Sequence, residues 1–119
     1  MHRDLKLENI MVDERGYLKL IDYGLAKAVQ ENKLAMSYVG TPEYFSPEMI
    51  DNTGHDMTVD WWAVGILAYE MLIGVTPFFN INKQTLLSRI KSSNVIFPDR
   101  TKYDFKYSDE LVSLVTGLL

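Results

Sequence analysis

The chain opens on MHRDLKLENI, and within it Asp4, Lys6 and Asn9 stand two and three residues apart. An acid, a cation and a neutral amide set so close together are groups that can move a proton or steady a developing charge. The same stretch, with charges of both signs between apolar residues, also reads as a solvated surface helix. An active-site loop would need further members downstream.

The elements that would position these residues can be read from the intervening pattern. Two β-prone runs, Ile10 to Val12 and Tyr17 to Ile21, flank Asp13-Glu14-Arg15-Gly16, whose glycine suits a hairpin loop. Such a hairpin returns the chain so that Asn9 and Asp22 meet at its open end. From Leu25 to Tyr44 no period survives, and small and polar residues lead to Gly40-Thr41-Pro42; this predicts an extended loop, and loops of that length in a domain usually carry function. A short helix is expected from Ser46 to about Asp51, with Pro47 in its first turn.

The main helix is expected from an N-cap at Thr58, with Asp60 in the first turn, to a stop at Gly74 before Pro77. Its flanks are apolar nearly all round, which predicts burial on most sides. Trp61, Trp62, Phe78 and Phe79 are expected to be core or packing residues. Leu86, Leu87 and Ile90 mark one face of a helix near residues 82 to 92. Leu111, Val112, Leu114, Val115 and Leu118 mark another after a cap at Ser108.

Composition bounds the function classes. At 119 residues with 47% hydrophobic and 24% charged residues, the chain has the make-up of one globular domain. A net charge of −4 with no dense Lys/Arg block argues against binding nucleic acid and favours a cationic partner. The absence of cysteine excludes thiolate metal sites and leans toward a reducing, cytoplasmic setting. The most apolar run, WWAVGILAYEMLIGV, contains Glu70 and is shorter than the ~20 residues a spanning helix requires. No signal peptide and no membrane span are expected.

In order and spacing, HRD with Lys6 and Asn9, then DYG, then SPE, together with SYVGTPEYFSPE and VDWWAVGILAYEMLIGVTPFF, resemble the eukaryotic protein kinase motif series. The later segments look like the AGC group of Ser/Thr kinases, which includes the cyclic-nucleotide-dependent kinases. The resemblance covers essentially the whole chain. It implies an α+β, mainly helical fold: part of the C-terminal lobe of a kinase domain over residues 1–119, with a small β-hairpin at the catalytic loop. The smaller N-terminal lobe, with its Gly-rich loop and lysine–glutamate pair, would be absent.

The resemblance also implies roles. Asp4 would orient the substrate hydroxyl, and Lys6 would sit near the γ-phosphate of ATP. Asn9 and Asp22 would hold Mg²⁺ through hard oxygens, and Thr41 would bond to Asp4 and Lys6. Ser37 matches the activation-loop phosphosite, with Arg3 and Lys27 at the positions that receive the phosphate. Glu8, Glu43 and Glu70 match positions that contact arginines of basic Ser/Thr-containing protein substrates. Tyr38, Pro42 and Phe45 would wall the pocket for the residue after the phosphoacceptor. A regulatory subunit or domain is a further partner the resemblance admits.

Structural roles are the competing expectation for several of these residues. His2 reads as a packed, hydrogen-bonded framework histidine. Asp60 serves either as a helix-dipole acid or as an acceptor for the catalytic-loop backbone, and Glu48 as a structural carboxylate. Exposed glutamates are often merely solvated. Tyr23 stands where the family usually has Phe, and its hydroxyl needs water or a partner. Without the nucleotide clamp of the smaller lobe, these 119 residues alone are expected to be inactive. A non-catalytic module that binds substrates or regulators is the alternative, against which the retention of Asp4, Lys6, Asn9 and Asp22 counts.

Overall fold

The structure is a computed structural model that describes residues 1–28 and 34–119. Its element order is mainly helical with one small sheet. A 3-10 turn, Leu7–Asn9, leads into strands β1 (Ile10–Val12) and β2 (Leu18–Leu20). A second 3-10 turn, Pro42–Tyr44, precedes helices α1 (Pro47–Asp51), α2 (Thr58–Ile73), α3 (Lys83–Ser92), α4 (Arg100–Tyr103) and α5 (Asp109–Leu118). Residues 29–33 of the loop expected between Leu25 and Tyr44 lie outside the described residues.

The hairpin forms because its turn is chemically specified. Asp13 accepts the amides of Arg15 and Tyr17 on one carboxylate oxygen, both at 2.9 Å, and Gly16 takes a φ of 84°. Pairing is antiparallel with Ile10 opposite Leu20 and Val12 opposite Leu18. The ladder continues past the strands, since the Ile21 amide donates to Asn9 O at 2.9 Å. Asp22 is therefore the next residue after the last hairpin bond.

Helix α2 is the spine of the core. Trp62, Ala63, Ile66 and Leu67 pack with Tyr44, Phe78, Leu86 and Ile90 in one buried cluster, where the rings of Trp62 and Phe78 stack at 5.9 Å. A fully buried side chain such as Ile66 or Phe78 stabilises the fold by ~1.5–3 kcal/mol. A smaller cluster of Phe45, Met49 and Val59 ties α1 to the start of α2. Helix α5 crosses α2 where Gly65 lets Leu118 and Leu119 approach.

Several expectations need correction. Thr58 is the first residue of α2 rather than its cap; the Asp56 carboxylate accepts both the Thr58 amide at 2.8 Å and the Thr58 hydroxyl at 2.7 Å. The turn begins earlier because Met57 already has helical dihedrals. Helix α2 is not buried on most sides of its first turn: Trp61 is 62% exposed whereas Trp62 is 8% exposed. Phe79 is likewise half exposed beside the fully buried Phe78. In α5 the buried side runs through Val115 with Leu111, Val112 and Leu118 partly covered, while Leu114 faces solvent. The short α4, capped by Asp99 accepting from the amides of Thr101 and Lys102, has no counterpart in the sequence reading.

Candidate active site

Met1 to Lys6, ahead of the 3-10 turn, form neither a surface helix nor a strand. They run as an irregular loop whose backbone is held from outside. Asp60, in the first turn of α2, accepts the His2 amide at 2.6 Å and the Arg3 amide at 2.9 Å, one on each carboxylate oxygen. His2 is buried; its Nδ1 accepts the Asp4 amide at 3.3 Å, which assigns the ring proton to Nε2, facing Ile21 O at 3.3 Å. One imidazole thus links the loop to the hairpin end, and Tyr23 meets its ring edge to face at 5.1 Å.

Asp4 sits at the centre of a closed network. Its Oδ1 accepts the Thr41 hydroxyl at 2.8 Å, and its Oδ2 lies 3.0 Å from Lys6 Nζ. Lys6 Nζ also donates to Thr41 Oγ1 at 3.0 Å, closing a ring of three side chains. The Asn9 amide donates to Asp4 O at 2.8 Å and to Asp4 Oδ2 at 3.2 Å. Burial, which leaves Asp4 9% exposed, pushes its carboxyl up. Hydrogen bonds from Lys6 and Thr41, the Lys6 charge and the Asn9 amide outweigh burial and hold the group below its ordinary value of 3.8. The carboxylate is therefore ionised at neutral pH.

Gly40 explains how Thr41 reaches Asp4. It has a φ of 115°, and a Cβ there would stand 2.6 Å from Arg3 O and 3.2 Å from the Phe45 ring. Only a residue without a side chain lets the two segments run this close.

Asp22 is exposed and has a left-handed φ of 58°; its Oδ1 accepts the Gly24 amide at 3.1 Å. Asn9 spends its amide hydrogens on Asp4, which leaves its carboxamide oxygen as a donor atom for a cation. A carboxylate and a carboxamide at one end of a hairpin are hard oxygen ligands that suit Mg²⁺, which commonly takes one or two protein ligands and completes its octahedron with phosphate and water. No group of three or more His, Cys, Asp or Glu side chains gathers into a metal cage among the described residues.

A second cluster surrounds Arg3. Its Nε donates to Leu25 O at 2.7 Å, and its Nη1 donates to the hydroxyl of the exposed Ser37. Lys27 is exposed nearby in sequence to Leu25, and its amide donates to Met1 O at 3.0 Å. Tyr38 packs edge to face on the buried Phe45 at 4.7 Å, beside Pro42 in the 3-10 turn.

Of the candidate recognition glutamates, Glu8 is exposed while Glu43 and Glu70 are partly buried. Glu70 accepts the Tyr44 hydroxyl, and Glu43 lies 3.5 Å from the hydroxyl of the buried Thr76. Burial and the Glu70 carboxylate push the Tyr44 phenol far up, so it stays a donor. Tyr44 and Thr76 lie inside the segments SYVGTPEYFSPE and VDWWAVGILAYEMLIGVTPFF, but nothing in those segments says that these two side chains turn inward toward a carboxylate. Glu48 is half buried in α1, and its carbonyl accepts the Thr53 amide at 3.3 Å.

Comparison with known proteins now bears on this loop, hairpin and helix arrangement. The family described as protein kinase domain matches residues 1–119. The chain belongs to the protein kinase family. It is 45% identical over all 119 residues to the Arabidopsis thaliana serine/threonine-protein kinase AtPK2/AtPK19, covering 24% of that protein. It is 39% identical over 98% of its length to the cAMP-dependent protein kinase catalytic subunit of Dictyostelium discoideum, covering 17% of that relative. Over 88% of its length it is 43% identical to human cGMP-dependent protein kinase 2, of which it covers 13%. The relatives are AGC-type Ser/Thr kinases, so the expected class, a Ser/Thr protein kinase by family, holds. The chain spans about a quarter or less of the length of these relatives. Among the described residues of this kinase chain, no helix is long and apolar enough to cross a membrane.

Proposed function

We propose that this chain supplies the catalytic-loop part of the larger lobe of an AGC-type Ser/Thr kinase, acting on basic protein substrates. The observation that carries the reading is the ring joining Asp4, Lys6 and Thr41, with Asn9 bonded into it. Mg-ATP, when bound, supplies the phosphoryl group and the charge-neutralising cation. Asn9 and Asp22 offer the oxygens that would hold the metal. Asp4, kept anionic, orients a Ser or Thr hydroxyl and takes its proton. Lys6 carries positive charge at the same spot, and Thr41 keeps both side chains in register.

Substrate choice follows from charge and shape. Glu8, Glu43 and Glu70, in a chain of net charge −4, favour arginine or lysine in the target. Tyr38, Pro42 and Phe45 form the apolar wall for the residue after the acceptor. A phosphate on Ser37 would meet Arg3, with Lys27 as second cation, and would tie the loop to the opening residues more strongly than the hydroxyl does.

The 119 residues include no Gly-rich phosphate loop and no strand lysine with its glutamate partner, so taken alone they are proposed to transfer phosphate negligibly. A radiolabelled-ATP assay with an arginine-rich peptide tests this. Clear Asp4-dependent turnover by the chain alone would refute inactivity. Joined to the nucleotide-binding lobe of an AGC-type relative, the chain is expected to gain turnover that Asp4→Asn reduces by about a hundredfold or more. Retained turnover in that variant would remove Asp4 from the reaction, and peptide capture without any effect of nucleotide would favour a docking module.

A further inference from the structure

Outside the Asp4 network, the buried imidazole of His55 has a role in none of the steps above. His55 is 4% exposed, and its Nε2 finds no hydrogen-bond partner among the described residues. Its backbone exchanges two hydrogen bonds with Ala35: Ala35 N to His55 O at 2.8 Å and His55 N to Ala35 O at 3.0 Å. The chain on both sides of Ala35 presses onto the preceding residue. A Cβ on Gly54, where φ is 91°, would stand 2.8 Å from Leu34 Cβ and 3.2 Å from Met36 Sδ. Leu34 and Met36 are themselves exposed, so among the described residues a single layer of chain covers this stretch. Two residues beyond Ala35, the Ser37 hydroxyl takes its bond from Arg3.

Burial is the largest influence on the imidazole and disfavours a second proton. Arg3 of the opening loop acts in the same sense, and so, more weakly, does Lys27 of the segment after β2. Glu48 of α1 and the neighbouring Asp56 favour the proton, but the balance holds His55 below the ordinary histidine value of 6.5. A buried imidazolium here would carry an N–H without an acceptor among the described residues while facing the field of a guanidinium. The cheapest relief is to admit water by lifting the one layer of chain above it.

We propose that His55 is a positioning residue for the segment that carries Ser37: neutral, it lies beneath a closed Ala35–His55 strap, and protonated, it opens the strap and frees Ser37 from Arg3. The inference does not depend on Ser37 being modified. Protons bind the open form more tightly than the closed one. Closure is therefore complete above the ordinary histidine value and is lost as pH falls below it, by at most tenfold for each pH unit, since one proton is involved.

Amide hydrogen exchange at Ala35 in the full chain, corrected for the intrinsic effect of pH, tests the inference between about pH 5 and pH 8. Protection of Ala35 is expected to be level at the upper end and to fall by roughly threefold to tenfold toward the lower end, while Ile66 in α2 stays protected. His55→Gln, polar but uncharged throughout, is expected to flatten the Ala35 profile. A flat profile in the unsubstituted chain, or an unchanged step in the variant, overturns the proposal. If His55→Gln folds poorly, NMR titration of the imidazole in the unsubstituted chain decides. A midpoint below the ordinary value that coincides with the loss of Ala35 protection supports it. A midpoint at or above that value, or one unrelated to Ala35, overturns it.

Discussion

Asp60 accepts the Arg3 amide at 2.9 Å, and Arg3 beneath it holds a left-handed φ of 71°. A non-glycine residue in that region costs on the order of 1–3 kcal/mol and persists only when its surroundings enforce it. The enforcement is visible: the second Asp60 oxygen accepts the His2 amide at 2.6 Å, so one carboxylate fixes two successive peptide groups. Asp60→Asn would turn one acceptor into an NH₂ that confronts a backbone N–H. We expect a stability loss of about 2 kcal/mol or more in urea denaturation. A change under about 0.5 kcal/mol, the size of an ordinary surface substitution, would show that Arg3 is held by something else.

Thr41 acts on Asp4 through its hydroxyl, so Thr41→Ala and Thr41→Ser should separate. The alanine variant leaves Asp4 Oδ1 without the donor now at 2.8 Å, and should cost ~1–3 kcal/mol while moving the Asp4 pKa upward. The serine variant keeps the oxygen and should lie close to the parent in both readings. Carboxyl-carbon NMR titration with parallel denaturation checks the pair; equal behaviour of the two variants would assign the effect to the methyl group instead.

Acid should weaken the fold through Asp4. Its carboxyl titrates lower in the folded chain than its ordinary 3.8, so the unfolded chain binds the proton more readily. The stabilisation is present above that ordinary value and disappears as pH falls through the folded one. Lys6→Met removes the partner at 3.0 Å, and with it one hydrogen bond and a positive charge, which should raise the Asp4 pKa and reduce this part of the acid dependence. An unshifted Asp4 in the variant would mean that Asn9 and Thr41 suffice.

The two adjacent tryptophans should behave oppositely. Trp62, stacked on Phe78 at 5.9 Å, should cost ~3–5 kcal/mol when changed to alanine. Trp61, 62% exposed, should cost under about 0.5 kcal/mol. Thermal melts of both variants read the contrast directly, and a large loss at Trp61 would place a packing partner over it.

Much of the scaffold was legible because its punctuation is local. Asp13 and Gly16 announce the hairpin turn, Gly74 ends α2 with a φ of 89°, and Ser108 caps α5 by accepting the Leu111 amide at 3.3 Å. What escaped reading depends on partners distant in sequence or on neighbours of equal chemistry. Trp61 and Trp62 are the same residue type on a helix apolar nearly all round, so no periodicity could say which faces the core. Threonine is a good cap, which points to Thr58, but Asp56, two residues earlier, captures both the threonine amide and its hydroxyl.

The candidate site shows the same division. The residues that form it were found by motif order, yet the left-handed backbone at Arg3 and Asp22 was invisible, since neither is glycine. Tyr44 looked like one more aromatic residue, and only the folded chain reveals its hydroxyl on Glu70. His55 similarly gave no sign in the sequence of pairing with Ala35 across the fold.

Arg3 has its backbone clamped to α2 and its guanidinium on the Leu25 carbonyl and on Ser37, 34 residues away. It is also the residue immediately before Asp4. The contact to Ser37 and the acid are thus separated by one peptide bond, with no intermediate side chain between them. The link between the Ser37 segment and the acid is a single residue long, and its backbone is pinned to α2 at the same point.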